Sequence, residues 1–531
     1  MLKTTNLKLQ LLGIIPQFSD KTGKLNPEQI SALSALLTFK GKSVKGLLKE
    51  TLDKGQDLDK KVQVILNKSS LRGHASVATT PTLAFSFEGS KFIDSMLTGI
   101  VFSSSLMASG RRTDTLEKDI VYPTAISKNK KAKDLYKKQS LENLGCQNWL
   151  LEKGVAKDEA SKILQYGIYG TGIMVLPVES LVGFVKEWEM EKNWMPEEAE
   201  ILISLFKKEL KKLGINQLFH TRQIAPRDVY PYPNIFKDPE KSNLVRETKK
   251  EGVVSLDFIK TKEFLKLLRK LNSLTKKIAA NKTRILKDWP QLLQLRRQIC
   301  RDYNLAVNIK VLSNISWRVW GEKKRHRTVP QVVDSIYYSI ANAIEKVQEC
   351  EEREERRLKS ATTSAITSAN TLANIIKYFS IPPTIKKNPR FLKKYMDCFL
   401  GSLRCYQKLV KMGIKSGDAV FVIPRGIRIS VLQEYNLFNL ISGYYPLRLC
   451  STAEEQLRST TRQEADVIRK LLKKKKFPEL AEAISVKCQT TCFCHEENHC
   501  GQIKKLVKNY DEEFHKKMLK SLEEKYVKIS R

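Results

Sequence analysis

A chain of 531 residues is too long to fold around one core. Single hydrophobic cores stop growing at roughly 250–300 residues, so two or three domains are required. Hydrophobic side chains make up 41% of the residues, enough to fill them. The most apolar stretch, Met96–Ala108, is short and serine-rich, and Lys91 and Asp94 sit just before it, so no membrane span is predicted. Met1-Leu2-Lys3 does not open a signal peptide of convincing form, which predicts a cytoplasmic protein. In a reducing compartment the ten cysteines are not a disulfide framework. Cys146, Cys300, Cys350, Cys398, Cys405 and Cys450 read as small buried apolar residues. The formal charge of +37 favours polyanions: nucleic acid, nucleotides or an anionic surface. Lysine is spread through every region, so a general lysine bias explains the charge equally well.

Periodicity places the elements. Pro27–Lys40, Val44–Leu52 and Leu58–Leu66 have apolar residues at helical spacing, with Pro27 suited to a first turn. Leu83-Ala84-Phe85-Ser86-Phe87 alternates as a strand, and Lys91–Leu97 follows as a short helix. Leu135–Glu152 and Pro196–Leu213 read as helices, and Gly154–Ala160 opens another. Arg222–Lys241, with Pro226, Pro231, Pro233 and Pro239, reads as an extended junction. Phe258–Arg297 is a basic helical stretch, expected to break near Pro290. Leu305–Leu312 alternates loosely, and Ala343–Ser364 reads as a solvated, self-paired helix.

The functional signal lies at Arg325-His326-Arg327, with Ser335 after seven intervening residues. Two guanidinium forks together make a concentrated anion site, and the imidazole between them can stack or donate a hydrogen bond. On a helix, Arg327 and Ser335 share a face about two turns apart. On chemistry alone a basic cluster on a solvated helix accounts for the same residues. Arg-His-Arg-x7-Ser resembles the signature of flavin-dependent thymidylate synthases. Further segments carry the resemblance: Gly73-His74-Ala75-Ser76 before the Phe-x-Phe strand, Ser109-Gly110-Arg111, Ala419–Pro424, Asn436-Leu437-Phe438, and Leu447-Arg448 with Ala453–Arg458.

The resemblance implies an α/β (α+β) fold of two tandem thymidylate-synthase-complementing-like lobes, each a mixed sheet flanked by helices, with helical insertions. The expected divisions are residues 1–215 and 301–480 for the halves, 216–300 for a junction and basic helical linker, and 481–531 for a tail. Each half has lost pieces. Gly99-Ile100-Val101 stands where Arg-His-Arg belongs in the first half, and Tyr337 replaces the Ser-x-Arg arginine in the second. Ser161, Val420 and Phe438 replace three further family arginines, Thr79 a flavin-contacting glutamate and Met96 a glutamine. The retained pieces are complementary, which predicts one composite site per chain. In it Ser109, Gly110, Arg111, Arg325 and Arg458 bind dUMP, with Arg458 also the catalytic group that ionises the uracil. His74, Ser76, Arg325, His326, Arg327 and Asn436 bind FAD. The implied reaction is reductive methylation of dUMP to dTMP, with methylenetetrahydrofolate and NADPH as co-substrates. A homodimer would supply the family's four lobes. The alternative is a catalytically silent member that binds nucleotide or nucleic acid through its basic surface.

The tail packs Cys488, Cys492, Cys494, His495, His499 and Cys500 into thirteen residues. Thiolates and imidazoles suit tetrahedral zinc, so a structural zinc on Cys488, Cys492, Cys494 and Cys500 is expected, against free thiols in a compact tail.

Overall fold

The computed structural model describes residues 7–20, 23–69, 76–100, 102–110, 113–219, 233–240, 244–248, 250–360 and 375–527. Its first sheet is built around strand Thr82–Ser90, whose Leu83, Phe85 and Phe87 alternate into the core. Each such side chain stabilises the fold by about 1.5–3 kcal/mol through burial. Phe85 meets Phe206 of helix Glu197–Lys212 edge to face, ring centroids 4.7 Å apart. The strand pairs antiparallel with Lys8–Ile15 on one side and Tyr169–Pro177 on the other, and Tyr169–Pro177 pairs in turn with Ser104–Met107. Ser90 ends the strand and starts helix Lys91–Leu97, its Oγ accepting from the backbone N–H of Phe92 and Ile93.

The second sheet runs in the order Gly252–Phe258, Val307–Ser316, Arg428–Asn436, Gln331–Val333. In chain order both sheets therefore read first, second, fourth, third strand. The helices echo one another as well. Thr124–Lys128, Lys130–Glu152, Ser161–Ile163 and strand Tyr169–Pro177 are matched in length by Pro383–Lys387, Pro389–Lys411, Val420–Val422 and Arg428–Asn436. The seven-residue helix Lys91–Leu97 is matched by Trp317–Lys323, capped by Ser316. The two 23-residue helices pack together, and residues 259 positions apart touch across their contact: Gln139 Nε2 donates to the Cys398 carbonyl, and Asn143 Nδ2 to Ser402 Oγ.

The chain forms two compact units. One comprises 1–242, 316–325 and 333–429; the other comprises 243–315, 326–332 and 430–531. The second unit is filled by Phe264, Leu268, Leu271, Ile309, Val311, Tyr435 and Ile468.

Most predicted elements form within a residue or two of their expected bounds; Leu135–Glu152 starts five residues earlier, as Lys130–Glu152. Two expectations fail. The basic stretch starts as strand Gly252–Phe258 and divides into helices Lys262–Ala279 and Arg284–Tyr303, with Pro290 inside the second. The break falls at 280–283, where a turn around Asn281 takes over: its side chain accepts from the Thr283 N–H and hydroxyl. The Arg-His-Arg segment is not helical either. It lies in turns between helix Trp317–Lys323 and strand Gln331–Val333, because Pro330 has no N–H to continue a helix. Among the described residues no helix is long and apolar enough to cross a membrane.

Candidate functional site

Helix Trp317–Lys323 is anchored by its first residue. Trp317 is fully buried, stacks on Tyr166 with centroids 3.8 Å apart, and donates from Nε1 to Ser95 Oγ at 3.2 Å. The anchor fixes Arg318 and, past the helix end, Lys324 and Arg325. Lys324 Nζ donates to the Ser95 carbonyl, and Arg325 Nη2 lies 3.5 Å from Asp94 Oδ1. Asp94 belongs to helix Lys91–Leu97, whose first residue, Lys91, pairs with it at 3.3 Å. Lys91 Nζ also donates to the Ala108 carbonyl at 2.7 Å, holding the turn that presents Ser109 and Gly110.

Two arginines close on that turn. The backbone N–H of Arg318 donates to the Arg425 carbonyl at 3.0 Å, which sets the two residues side by side. Both are more than nine-tenths buried. Arg318 Nη2 donates to Asp158 Oδ1 at 2.8 Å, while its buried Nε has no hydrogen-bond partner among the described residues. Arg425 Nη2 and Nε donate to the carbonyls of Ser161 and Leu164 at 2.9 and 3.3 Å. A Cβ placed on Gly110 would stand 3.1 Å from Arg425 Nη1 and 3.7 Å from Arg318 Nη1, so only glycine admits this approach without displacement. Four cations (Lys91, Arg318, Arg325, Arg425) thus meet two carboxylates (Asp94, Asp158). Burial, followed by repulsion from Arg318, pulls the Arg425 guanidinium down to about 9, against the opposing pull of Tyr166, Asp94 and Asp158. Burial likewise lowers Lys91; Asp94 resists, and Arg425 and Arg325 add to the fall.

The matching place in the second half is closed. Ser335 is wholly buried and its hydroxyl donates to the Lys237 carbonyl at 2.8 Å. Tyr337 donates to the Trp194 carbonyl and packs on its ring.

In the other unit, His326 Nε2 accepts from Arg448 Nε at 2.7 Å, which puts the proton of the neutral ring on Nδ1. Its ring meets Tyr444 edge-on at 4.9 Å. Arg327 is half-buried. Asn436 caps helix Leu437–Ile441, its Oδ1 accepting from both N–H groups of Asn439. Arg458 stands in the first turn of helix Glu455–Lys474 with Nη1 on the Ser451 carbonyl at 3.0 Å; Glu454 does not pair with it through its side chain but caps the helix at the Leu457 N–H. His74, Arg111 and the Ser76 side chain lie outside the described residues.

The expected zinc set is not brought together. Cys492 takes left-handed backbone and turns its Sγ toward the Thr275 carbonyl at 3.6 Å. Cys488, Cys494 and Cys500 instead border a separate small cavity with Cys450. Among the described residues no three His, Cys, Asp or Glu side chains are placed to hold a metal ion. Cys488, Cys492 and Cys494 are buried while Cys500 is exposed, and burial pushes Cys488 and Cys492 up to about 12.

Lys91, Asp94, Arg318 and Arg425 were not singled out from the sequence as site residues. The i,i+3 pair of Lys91 and Asp94 on a helix after the Phe-x-Phe strand was a usable signal. Nothing local marks Arg425, whose bonded partner Leu164 lies 261 residues away.

Fold and site together define a protein of helices and antiparallel sheets with a cluster of cationic side chains beside a Ser-Gly turn. Residues 306–474, about a third of the chain, match the family model described as thymidylate synthase complementing protein. The flavin-dependent thymidylate synthase of Pyrococcus abyssi is 31% identical over 85 residues, 16% of this chain and 34% of that protein. The enzyme of Pyrococcus horikoshii is 30% identical over 118 residues, 22% and 48% of the two chains. The chain thus spans about a third to a half of the length of these relatives. Among solved structures, a UMP/dUMP methylase from Streptomyces cacaoi bound with 5-Br dUMP aligns over 40% of this chain and 93% of its own, at 11% identity and a TM-score of 0.29. The flavin-dependent thymidylate synthase of Helicobacter pylori complexed with FAD and dUMP aligns over 44% and 99%, at 12% identity and a TM-score of 0.26.

Proposed function

We propose that this chain carries out flavin-dependent reductive methylation of dUMP to dTMP, with methylenetetrahydrofolate as carbon donor and NADPH as reductant, at one composite site. The observation that carries the reading is the pairing of Arg325, from the second half, with Asp94 of the first, whose partner Lys91 holds the Ser109–Gly110 turn, while the reciprocal Ser335 and Tyr337 are bonded inward. The matched element order favours two tandem lobes, with strand Gly252–Phe258 of the 216–300 stretch joining the second sheet rather than serving as a linker; the proposed divisions are otherwise 1–215, 301–480 and the tail 481–531. A cytoplasmic homodimer then presents four lobes.

In this reading the Ser109–Gly110 turn, Arg111 and Arg325 hold the phosphate of dUMP, and the Arg458 guanidinium stabilises the negative charge that makes the uracil ring nucleophilic. FAD, when bound, supplies the hydride. Its assigned contacts are His74, Ser76, Arg325, His326, Arg327 and Asn436. The hydrogen bond from Arg448 orients the His326 ring. The Asn436 Oδ1 is engaged in capping, so this residue offers FAD only its amide N–H groups.

One observation favours a second reading, a silent member that binds nucleotide or single-stranded nucleic acid. An open cavity of about 610 Å³ is lined by Arg296, Arg297, Arg301 and Lys487 beside Phe438. Cations that track phosphates beside a ring that stacks on bases suit such ligands.

Tritium release from C5-tritiated dUMP, with FAD, NADPH and methylenetetrahydrofolate supplied, separates the two. Release that Arg458→Ala reduces by at least about a hundredfold, as removal of a transition-state donor does, is expected. No release from folded protein, with salt-sensitive binding of single-stranded DNA, overturns the synthase reading.

A further inference from the structure

The unit that carries the tail holds a cavity of about 210 Å³ that the proposed reaction does not use. It lies among helices Lys262–Ala279, Arg284–Tyr303, Pro478–Ala483, Lys487–Thr491 and Gln502–Leu506. All its lining residues fall outside 306–474, the segment that matches the family model. Arg296 borders it and is more than nine-tenths buried. Its Nη1 donates to the Ile441 carbonyl at 2.6 Å, and its buried Nε has no hydrogen-bond partner among the described residues. That leaves the Nε–Nη2 edge, the side of a guanidinium that can grip both oxygens of a carboxylate. Burial pulls the Arg296 guanidinium down to about 10, and among the described residues only the Cys300 and Cys492 thiols oppose the fall. Burying a cation without a counter-charge is costly, so the site favours an anion as a further partner. The other charges of the wall cancel, because Lys276 pairs with Glu482 at 2.7 Å. The surplus is one positive charge, which one carboxylate neutralises. Ala279, Ala483, Leu506 and Val507 add an apolar lining. Pockets for drug-sized ligands measure about 300–1,000 Å³, so this one is too small for a flavin or a nucleotide.

We propose that this cavity binds a short-chain monocarboxylate, its carboxylate held side-on by Arg296 and its hydrocarbon chain lying against Ala279, Ala483, Leu506 and Val507. Ser485 and Gln489 also border the cavity, and a hydroxyl and an amide can donate to the carboxylate oxygens. The walls come from both the basic helices and the tail, so occupancy stabilises their packing on one another. The site stands whether or not the chain methylates dUMP.

The test is a saturation-transfer NMR titration of the full chain with butyrate and with butyramide, repeated on Arg296→Met, Arg296→Lys and Ala279→Leu. The wild type is expected to bind butyrate with a Kd of about 1 mM or below, at least about tenfold tighter than butyramide, which lacks the charge. Arg296→Met is expected to erase that preference. Arg296→Lys is expected to weaken butyrate about tenfold, since an ammonium is a point charge and cannot grip two oxygens in one plane. Arg296 also ties down the Ile441 carbonyl, so the melting temperature of each variant is read alongside. Ala279→Leu keeps that tie, fills the cavity, and is expected to abolish butyrate binding in folded protein. It also places the site, because Ala279 borders this cavity and not the open one beside Phe438, which Arg296 shares. Butyrate bound no better than butyramide, or bound equally well by Ala279→Leu, overturns the proposal. Inorganic phosphate, added as competitor, is expected to displace butyrate only weakly; phosphate that binds more tightly than butyrate overturns it too.

Discussion

Helices Lys130–Glu152 and Pro389–Lys411 have the same length and the same place in the order of elements, yet the turns that follow the first short helix of each half have diverged. In the first half, helix Lys91–Leu97 runs into Gly99 and a buried Ile100, which carry no charge; in the second, helix Trp317–Lys323 runs into Arg325 and His326. The loops after them diverge the other way: Ser109 is half-buried beside two arginines, and Ser335 is sealed beneath Lys237. Even the first residues of the two short helices have parted. Lys91 faces the cationic cluster, and Trp317 stacks on Tyr166. Helices and strands of matched length and order thus carry their charge at different places. Packing depends on volume and period, which many sequences satisfy; an anion pocket depends on particular donors, so it can be concentrated at one place and lost at the other.

The shared scaffold is tested hardest at Asn143. It is fully buried and bonded to Gln139, Gln165 and, across the matched helices, Ser402. Asn143→Ala leaves those polar groups without partners in a low-dielectric core and is expected to cost roughly 2–4 kcal/mol. Urea denaturation with unchanged stability would mean the matched helices are not held by this network.

A second asymmetry is acid–base. In the first half, burial raises the Glu198 carboxyl to about 7, against the lowering effect of the hydrogen bonds it accepts from the N–H and hydroxyl of Ser90. A raised folded pKa contributes stability that is fully present below the unfolded value of 4.5 and is lost as pH rises through about 7. The loss is expected to approach about 3 kcal/mol. Asp418, raised to about 6 by burial, adds in the same direction. Glu198→Gln should flatten the fall in melting temperature between pH 5 and 8; a variant as pH-sensitive as the wild type would show that Glu198 does not govern it.

The finest comparison sets Ser109 against Ser335. Ser335→Ala should cost about 1 kcal/mol in stability through its lost hydrogen bond, and leave dUMP affinity unchanged. Ser109→Ala should do the reverse, weakening dUMP about tenfold at unchanged stability. Equal effects on binding would argue for two working sites.

The sequence by itself determined most of the elements and the family resemblance. Helix Pro27–Lys40 begins after Asn26 with Pro27 in its first turn, strand Thr82–Ser90 alternates, and Arg325-His326-Arg327 with Ser335 carries the signature. These are local properties, set by neighbours within a few residues. Where the sequence reading failed, a local property was outweighed. Pro290 is tolerated inside a helix, Ser335 is turned inward, and Cys492 is packed away from the other thiols. Only the tertiary structure decided that Arg425 should stand against Gly110 and on the Ser161 carbonyl, or that Arg318 should be set beside it by a backbone hydrogen bond. Whether an arginine is a solvated surface charge or a buried, bonded one depends on what burial removes from around it. That is fixed by contacts between residues hundreds of positions apart, which no local pattern records.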